Sequence, residues 1–324
     1  MSEGPLLVLR EGTEGLSTEP YADELRNRLP ETEVLRARTP GEERDLIADA
    51  PIVTGVGIDA ELLSHAERLE LFACAFSGTE HLPNEALAER GVAVTNAGGI
   101  HAPGIAEQVV ANLLVFARRL DEGWRRKRRR EWRYFQSGEF KGSTVTVVGL
   151  GSIGQEVVQR LGGFDVDTIG VRYTPEKGGP TDEVIGFETE AIHDAVARSD
   201  AVVLCCPLTD ETRGLIGKAE FATMSPECVV VNVARGGLIE TDALVDALQH
   251  DAIGGAALDV TDPEPLPEEH PLWTLENCLL TPHTGGYTPE HWPRLADIVA
   301  GNVERLADGA QVSELENLVL DPTA

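Results

Sequence analysis

The apolar segment Thr144–Val148 runs directly into Gly149-Leu150-Gly151-Ser152-Ile153-Gly154, and a helical pattern follows. A G-x-G-x-x-G run alone says little. Placed between a strand and a helix, it specifies a tight turn whose backbone can approach a pyrophosphate, with free N–H groups of the helix start facing the anion. This order predicts a doubly wound α/β domain that binds a dinucleotide through Gly149, Gly151, Ser152, Ile153 and Gly154.

The flanking sequence supplies the rest of such a sheet. Apolar runs at 144–148, 168–171, 201–204, 229–232, 255–259 and 278–281 read as six buried strands separated by helices. A second series precedes them, at 6–9, 33–35, 51–54, 71–75 and 92–95, with helices near 21–28, 42–47, 60–65 and 84–88. Strands that are apolar throughout and alternate with helices indicate parallel sheets covered on both faces. We therefore expect two doubly wound parallel-sheet domains, Rossmann-like and flavodoxin-like, with a cleft between them. A long helix is expected from about 105 to 118, continuing into the basic run Arg125–Arg130, and a further helix over about 289–306.

The end of the strand after the fingerprint selects the cofactor. NAD-binding domains usually carry Asp or Glu there to bond the ribose 2′-hydroxyl. This chain has Arg172-Tyr173-Thr174. An arginine pairs with a 2′-phosphate that an acid would repel. NADP(H) is therefore the expected cofactor, with NAD(H) possible.

Charge bounds the partners. The 324 residues hold 55 acidic and 27 basic side chains, a formal charge of -28, and only four lysines: Lys127, Lys141, Lys177 and Lys218. Such acidity argues against nucleic-acid binding. It suits a cytosol of very high salt, where a Debye length of about 3 Å screens repulsion among carboxylates. The run Arg125–Arg130 stands out against this background and is expected to meet acidic surface, across a subunit interface in one reading. No stretch is long and apolar enough to span a membrane. Met1-Ser2-Glu3-Gly4-Pro5 lacks a signal-peptide pattern. The five scattered cysteines fit free thiols in a reducing cytoplasm, and neither they nor the histidines form a metal-ligand pattern.

Three residues carry the chemistry. Arg235 follows one strand, Glu264 lies in Asp262-Pro263-Glu264-Pro265, and His283 follows another strand, at intervals of 29 and 19 residues. All three are expected at one edge of the sheet. An imidazolium can protonate a ketone oxygen as hydride arrives, a carboxylate can orient the ring, and a guanidinium can hold a 2-oxo acid. With Asn232-Val233-Ala234-Arg235-Gly236-Gly237, Leu258-Asp259-Val260 and Thr281-Pro282-His283, the chain resembles the D-isomer-specific 2-hydroxyacid dehydrogenase family.

That resemblance implies further assignments. Cys206-Pro207-Leu208-Thr209 and Thr212 would line the cofactor cleft, with Val233 and Ala234 among the cofactor contacts. Asp259 looks like the aspartate that bonds the nicotinamide amide, and Gly285 and Gly286 would pass close to the ring. The backbone N–H groups of Ser77 and Gly78 would bind the substrate carboxylate. Residues 1–99 with 287–324 would form a discontinuous substrate domain and 100–286 the dinucleotide domain, in a homodimer. Glu264 argues against formate dehydrogenases, which carry glutamine there. The absence of a cation in Thr54–Ile58 and the end of the chain soon after the fold closes argue against a phosphorylated substrate. A 2-oxo acid reductase is expected, the alternative being a dinucleotide-sensing protein of the same fold with little turnover.

Overall fold

The computed structural model describes residues 4–322; Met1, Ser2 and Glu3 at one end and Thr323 and Ala324 at the other lie outside the described residues. The chain separates into two compact units. One is His101–Tyr287, and the residues on either side of it form the other.

In the first unit, strands β1 (Leu6–Val8), β2 (Val34–Arg36), β3 (Ile52–Gly55), β4 (Leu71–Cys74) and β5 (Ala93–Thr95) alternate with helices α1 (Glu19–Arg28), α2 (Pro40–Ile47), α3 (Ala60–His65) and α4 (Asn84–Glu89). The second unit starts with α5 (Ala102–Ala117) and α6 (Leu120–Arg129). It continues through β6 (Thr144–Val148), α7 (Ser152–Leu161), β7 (Asp167–Val171), β8 (Glu183–Ile185), α8 (Thr189–Ala197), β9 (Ala201–Leu204), α9 (Lys218–Thr223), β10 (Val229–Asn232), α10 (Thr241–Gln249), β11 (Gly255–Leu258) and β12 (Cys278–Leu280). Helix α11 (His291–Ala307) and strand β13 (Leu318–Leu320) belong to the first unit.

The first sheet runs β13-β5-β4-β3-β1-β2, the flavodoxin-like order for its parallel strands. Its core strands are buried on both faces, with α11 covering one of them. There Trp292 stacks on Tyr21 at 4.9 Å between ring centroids. Burial makes the Tyr21 hydroxyl hard to ionise, and the group is satisfied by Thr54 Oγ1 at 2.9 Å. Helix starts follow local chemistry: the Thr39 hydroxyl accepts from the Glu42 amide ahead of Pro40, and the Asp59 carboxylate accepts from the Leu62 amide.

The second sheet runs β12-β11-β10-β9-β6-β7-β8, all parallel. Winding reverses between β6 and β9, so a crevice opens at the carboxyl ends of these two strands, where such sheets take ligands.

Three features differ from the sequence expectation. The sheets gain β8 and β13, and β13 pairs antiparallel with β5, so the first sheet is not wholly parallel. Both additions are three-residue edge strands that are only partly buried, so they lack a long apolar run. The long helix also does not continue into the basic run. It stops at Ala117, Arg119 adopts a left-handed φ of 49°, and α6 starts afresh. The basic residues then find local acids: Arg125 pairs with Asp121, Glu122 and Glu276, and Arg126 with Glu122.

Candidate active site

The glycine turn packs as the fingerprint requires. Gly149 sits at φ +99°, and a Cβ there would lie 2.7 Å from the Cys206 amide nitrogen. A Cβ on Gly154 would lie 1.9 Å from the Gly149 carbonyl oxygen, so only glycine lets α7 start this close to β6. A Cβ on Gly151 would meet nothing within 4 Å. The open side of the turn thus faces the crevice, beside the amino terminus of α7 with its positive dipole end.

A cavity of about 530 Å³ occupies this place. Of the expected cofactor residues it takes Gly149, Gly151, Arg172, Tyr173, Thr174, Cys206, Pro207 and Thr212. The Thr212 hydroxyl donates to the Pro207 carbonyl and accepts from the Thr209 amide, which folds the 206–212 loop over the crevice. Burial raises the Cys206 thiol to about 11, leaving it a neutral wall group. Ser152, Ile153, Gly154, Val233, Ala234, Asp259, Gly285 and Gly286 are not part of the cavity lining.

The far wall holds residues that the sequence reading did not single out. Lys177 lines it beside Arg172, whose guanidinium bonds the Gly178 carbonyl. Neither cation has an acidic partner in the described chain. Glu211 lines the same cavity, with the Tyr173 hydroxyl 3.5 Å from its carboxylate.

The three chemistry-bearing residues sit at the carboxyl ends of neighbouring strands. Arg235 follows β10, Glu264 lies in the loop after β11, and His283 follows β12. Asn232, almost fully buried at the end of β10, holds the first turn: its Nδ2 donates to the Arg235 carbonyl and its Oδ1 accepts from the Ala234 amide. Gly236 lets that turn press on the next loop, because a Cβ there would lie 2.0 Å from the Thr261 carbonyl oxygen. His283 Nδ1–H donates to Glu264 Oε1 at 2.8 Å. This pair is half exposed, 49% and 40%, so its contribution to stability is small, and what it fixes is ring orientation. With Nδ1 held, Nε2 is the nitrogen left for a reacting group.

Asp259 stands behind this edge. It is 3% exposed and accepts from Gln108 Nε2, Thr281 Oγ1 and the amides of Thr284 and Gly285. Its carboxylate is therefore turned largely toward the segment that carries His283.

In the other unit, the loop after β4 carries Ser77 and Gly78. Its carbonyls are tied back, Phe76 accepting from the Ala97 amide and Ser77 from Asn96 Nδ2. The N–H groups of Ser77 and Gly78 take no partner among the described residues. Arg10, at the end of β1, is neutralised by Glu11 and Glu43.

A doubly wound sheet with an open glycine turn at its switch point has the architecture of a dinucleotide-binding protein. Residues 110–285 match the family model described as D-isomer specific 2-hydroxyacid dehydrogenase, NAD binding domain. The chain is 34% identical over 294 residues to a D-3-phosphoglycerate dehydrogenase of Methanocaldococcus jannaschii, covering 89% of this chain and 56% of that protein. It is 35% identical over 267 residues to a glyoxylate reductase of Thermofilum pendens, covering 80% of this chain and 78% of that one. A solved D-isomer specific 2-hydroxyacid dehydrogenase family protein of Aeromonas salmonicida superposes with a TM-score of 0.80 at 29% identity, covering 98% and 99% of the two chains. The chain belongs to the D-isomer specific 2-hydroxyacid dehydrogenase family. It spans about half the length of the phosphoglycerate dehydrogenases it matches first.

Proposed function

We propose that this protein is an NADP(H)-preferring D-2-hydroxyacid dehydrogenase working mainly as a reductase of small 2-oxo acids. The observation that carries the proposal is the His283–Glu264 hydrogen bond at the strand edge that also presents Arg235. The open face of Gly151, the cavity at the switch point and the start of α7 fit a dinucleotide. Gly149, Gly151 and the first-turn amides of Ser152 and Ile153 would hold its pyrophosphate, with Cys206, Pro207 and Thr212 along the cleft. Gly154, Val233, Ala234, Asp259, Gly285 and Gly286 would shape the remainder of the cofactor site. When bound, the nicotinamide supplies the hydride.

The chain's own groups do the rest. Arg235 holds the substrate carboxylate and polarises its 2-oxo group. His283 Nε2–H donates a proton to the ketone oxygen as negative charge develops there, and takes it back in the oxidation direction. Glu264 keeps the ring aimed and stabilises its charge. Ser77 and Gly78 are further proposed substrate residues, through backbone N–H groups of the kind that bind a carboxylate. In this reading His101–Tyr287 is the dinucleotide domain and the flanking residues are the substrate domain.

Arg172 and the neighbouring Lys177 support the NADP(H) preference: two cations without acidic partners line the wall where an NAD-binding domain usually has an acid. We further assign a homodimer, with the segment around α6 meeting the second copy. It leaves Trp132 and Tyr134 95% and 98% exposed beside Lys127, Arg128 and Arg130, in a protein whose surface is otherwise acidic. Five free thiols suit the reducing cytoplasm, and the charge of -28 suits high salt.

The test is nicotinamide absorbance at molar KCl, with NADPH and NADH, across 2-oxo acids from glyoxylate and pyruvate to branched ones. Oxidation of NADPH by one of these is the expected result. Cofactor binding with no turnover across the panel would replace the enzyme by a dinucleotide sensor.

A further inference from the structure

One face of α5 grips the segment that carries His283. His101, which caps the start of α5, and Ile105 and Gln108 within it lie at i, i+4 and i+7, the spacing of one helical face. His101 Nδ1 bonds the Gly286 carbonyl at 2.9 Å. A Cβ on Gly285 would lie 3.0 Å from Gln108 Oε1 and 3.4 Å from Ile105 Cγ1, so the backbone runs close along the helix. Gln108 Nε2 donates to Asp259 Oδ1 at 2.9 Å and to Thr281 Oγ1 at 2.8 Å. Both N–H groups of its amide are thereby used. The Thr281 hydroxyl donates in turn to Asp259 Oδ1 at 2.6 Å, so the chain of bonds has one direction, from Gln108 through Thr281 to the carboxylate.

Asp259 converts this into a clamp. Its side chain accepts the Thr284 amide at 3.0 Å and the Gly285 amide at 2.9 Å, and its carbonyl accepts the His283 amide at 2.8 Å. His283 itself sits at φ +53°, a left-handed conformation that a side-chain-bearing residue keeps only where its surroundings hold it. Hydrogen bonds to a buried carboxylate are strong and directional. Among the described residues, Gln108 is the one side-chain donor to Asp259 from outside the 281–285 segment.

We propose that Gln108 is a positioning residue for His283, acting through Asp259 and Thr281 to hold the imidazole in its working place. The inference rests on the reading of His283 as the general acid. It assigns Gln108 no contact with substrate or cofactor.

The test compares Gln108→Leu, close in size and without donors, with Thr281→Val, which removes the relay hydroxyl and leaves Gln108 in place. Hydrogen exchange is read by mass spectrometry on the peptide spanning residues 281–287 in the cofactor-free protein. Steady-state kinetics and NADPH binding by fluorescence are read in parallel. In both variants we expect exchange at the Thr284 and Gly285 amides to speed up about ten-fold. We expect kcat to fall about ten-fold, with KM and the NADPH Kd within about two-fold of the parent. Unchanged exchange in that peptide, or faster exchange with kcat unaltered, overturns the proposal. Faster exchange across the whole unit, or a loss confined to cofactor affinity, overturns it as well by reducing Gln108 to a structural or cofactor-site residue. A parent protein that turns over no 2-oxo acid sinks the enzyme reading instead, while the exchange data still decide whether Gln108 holds the segment.

Discussion

Gly236→Ala tests whether the proposed catalytic edge depends on the abutment of two loops. A Cβ at this position would lie 2.0 Å from the Thr261 carbonyl oxygen and 2.1 Å from its carbon, both backbone atoms that cannot swing aside. Restoring a contact of 3.4 Å requires the Arg235 turn and the Glu264 loop to separate by about 1.4 Å. Overpacking of this kind costs about 1–3 kcal/mol, which lowers Tm by several degrees and leaves the domain folded. The functional cost should be larger, because a displacement of about 1 Å at a catalytic group costs on the order of 100-fold in rate. We therefore expect kcat/KM for the best 2-oxo acid to fall about 100-fold while NADPH binding, read by fluorescence, stays within about two-fold. Circular dichroism and thermal melts confirm folding. Activity within two-fold of the parent would refute the argument that Gly236 registers Arg235 against Glu264.

The remaining predictions address separate parts of the molecule. Arg172→Asp should turn the cofactor preference toward NADH, with Lys177→Ala acting in the same direction more weakly; an unchanged ratio of kcat/KM for the two cofactors would remove these residues as phosphate readers. Glu264→Gln keeps an acceptor near His283 Nδ1 but loses the charge, so kcat should fall roughly 10- to 100-fold with the NADPH Kd unaltered, and a parent-like kcat would end its assigned role. Transfer from molar KCl to dilute buffer should lower Tm steeply, because 55 carboxylates lose their screening; a melt independent of salt contradicts that reading. Burial holds the thiols of Cys228 and Cys278 up to about 12 and that of Cys206 up to about 11. Unfolded thiols titrate near about 8.5, so the stability gained by keeping these groups protonated is complete below that pH and is lost as pH rises toward the folded values. Tm should therefore drop between about pH 9 and pH 11, and less so in Cys228→Ala; a flat profile would argue against the burial.

Much of the fold was legible because the parallel sheets are buried on both faces, and that burial writes each strand as a continuous apolar run such as Val229–Asn232. Strands β8 and β13 were missed for the same reason: each is a partly buried edge of three residues. The break between α5 and α6 carried no signal, since neither Arg118 nor Arg119 is a glycine or proline, and a left-handed Arg119 follows from packing rather than from composition. Lys177 lay five residues past Arg172 in an unremarkable loop, and only the turn closed by Gly178 brings it to the cavity wall.

From the sequence alone came the elements whose chemistry is local: the glycine turn, the strand periodicity, the arginine at the end of β7, and the residue types suited to handling a 2-oxo acid. Tertiary structure alone decided which groups meet. Gln108 and Asp259 are 151 positions apart and Glu264 and His283 are 19 apart, and nothing in the intervening residues encodes either hydrogen bond. The physical reason is that a side-chain contact depends on the order of strands in the sheet and on the backbone separation of their loops. Both emerge only when the whole core packs.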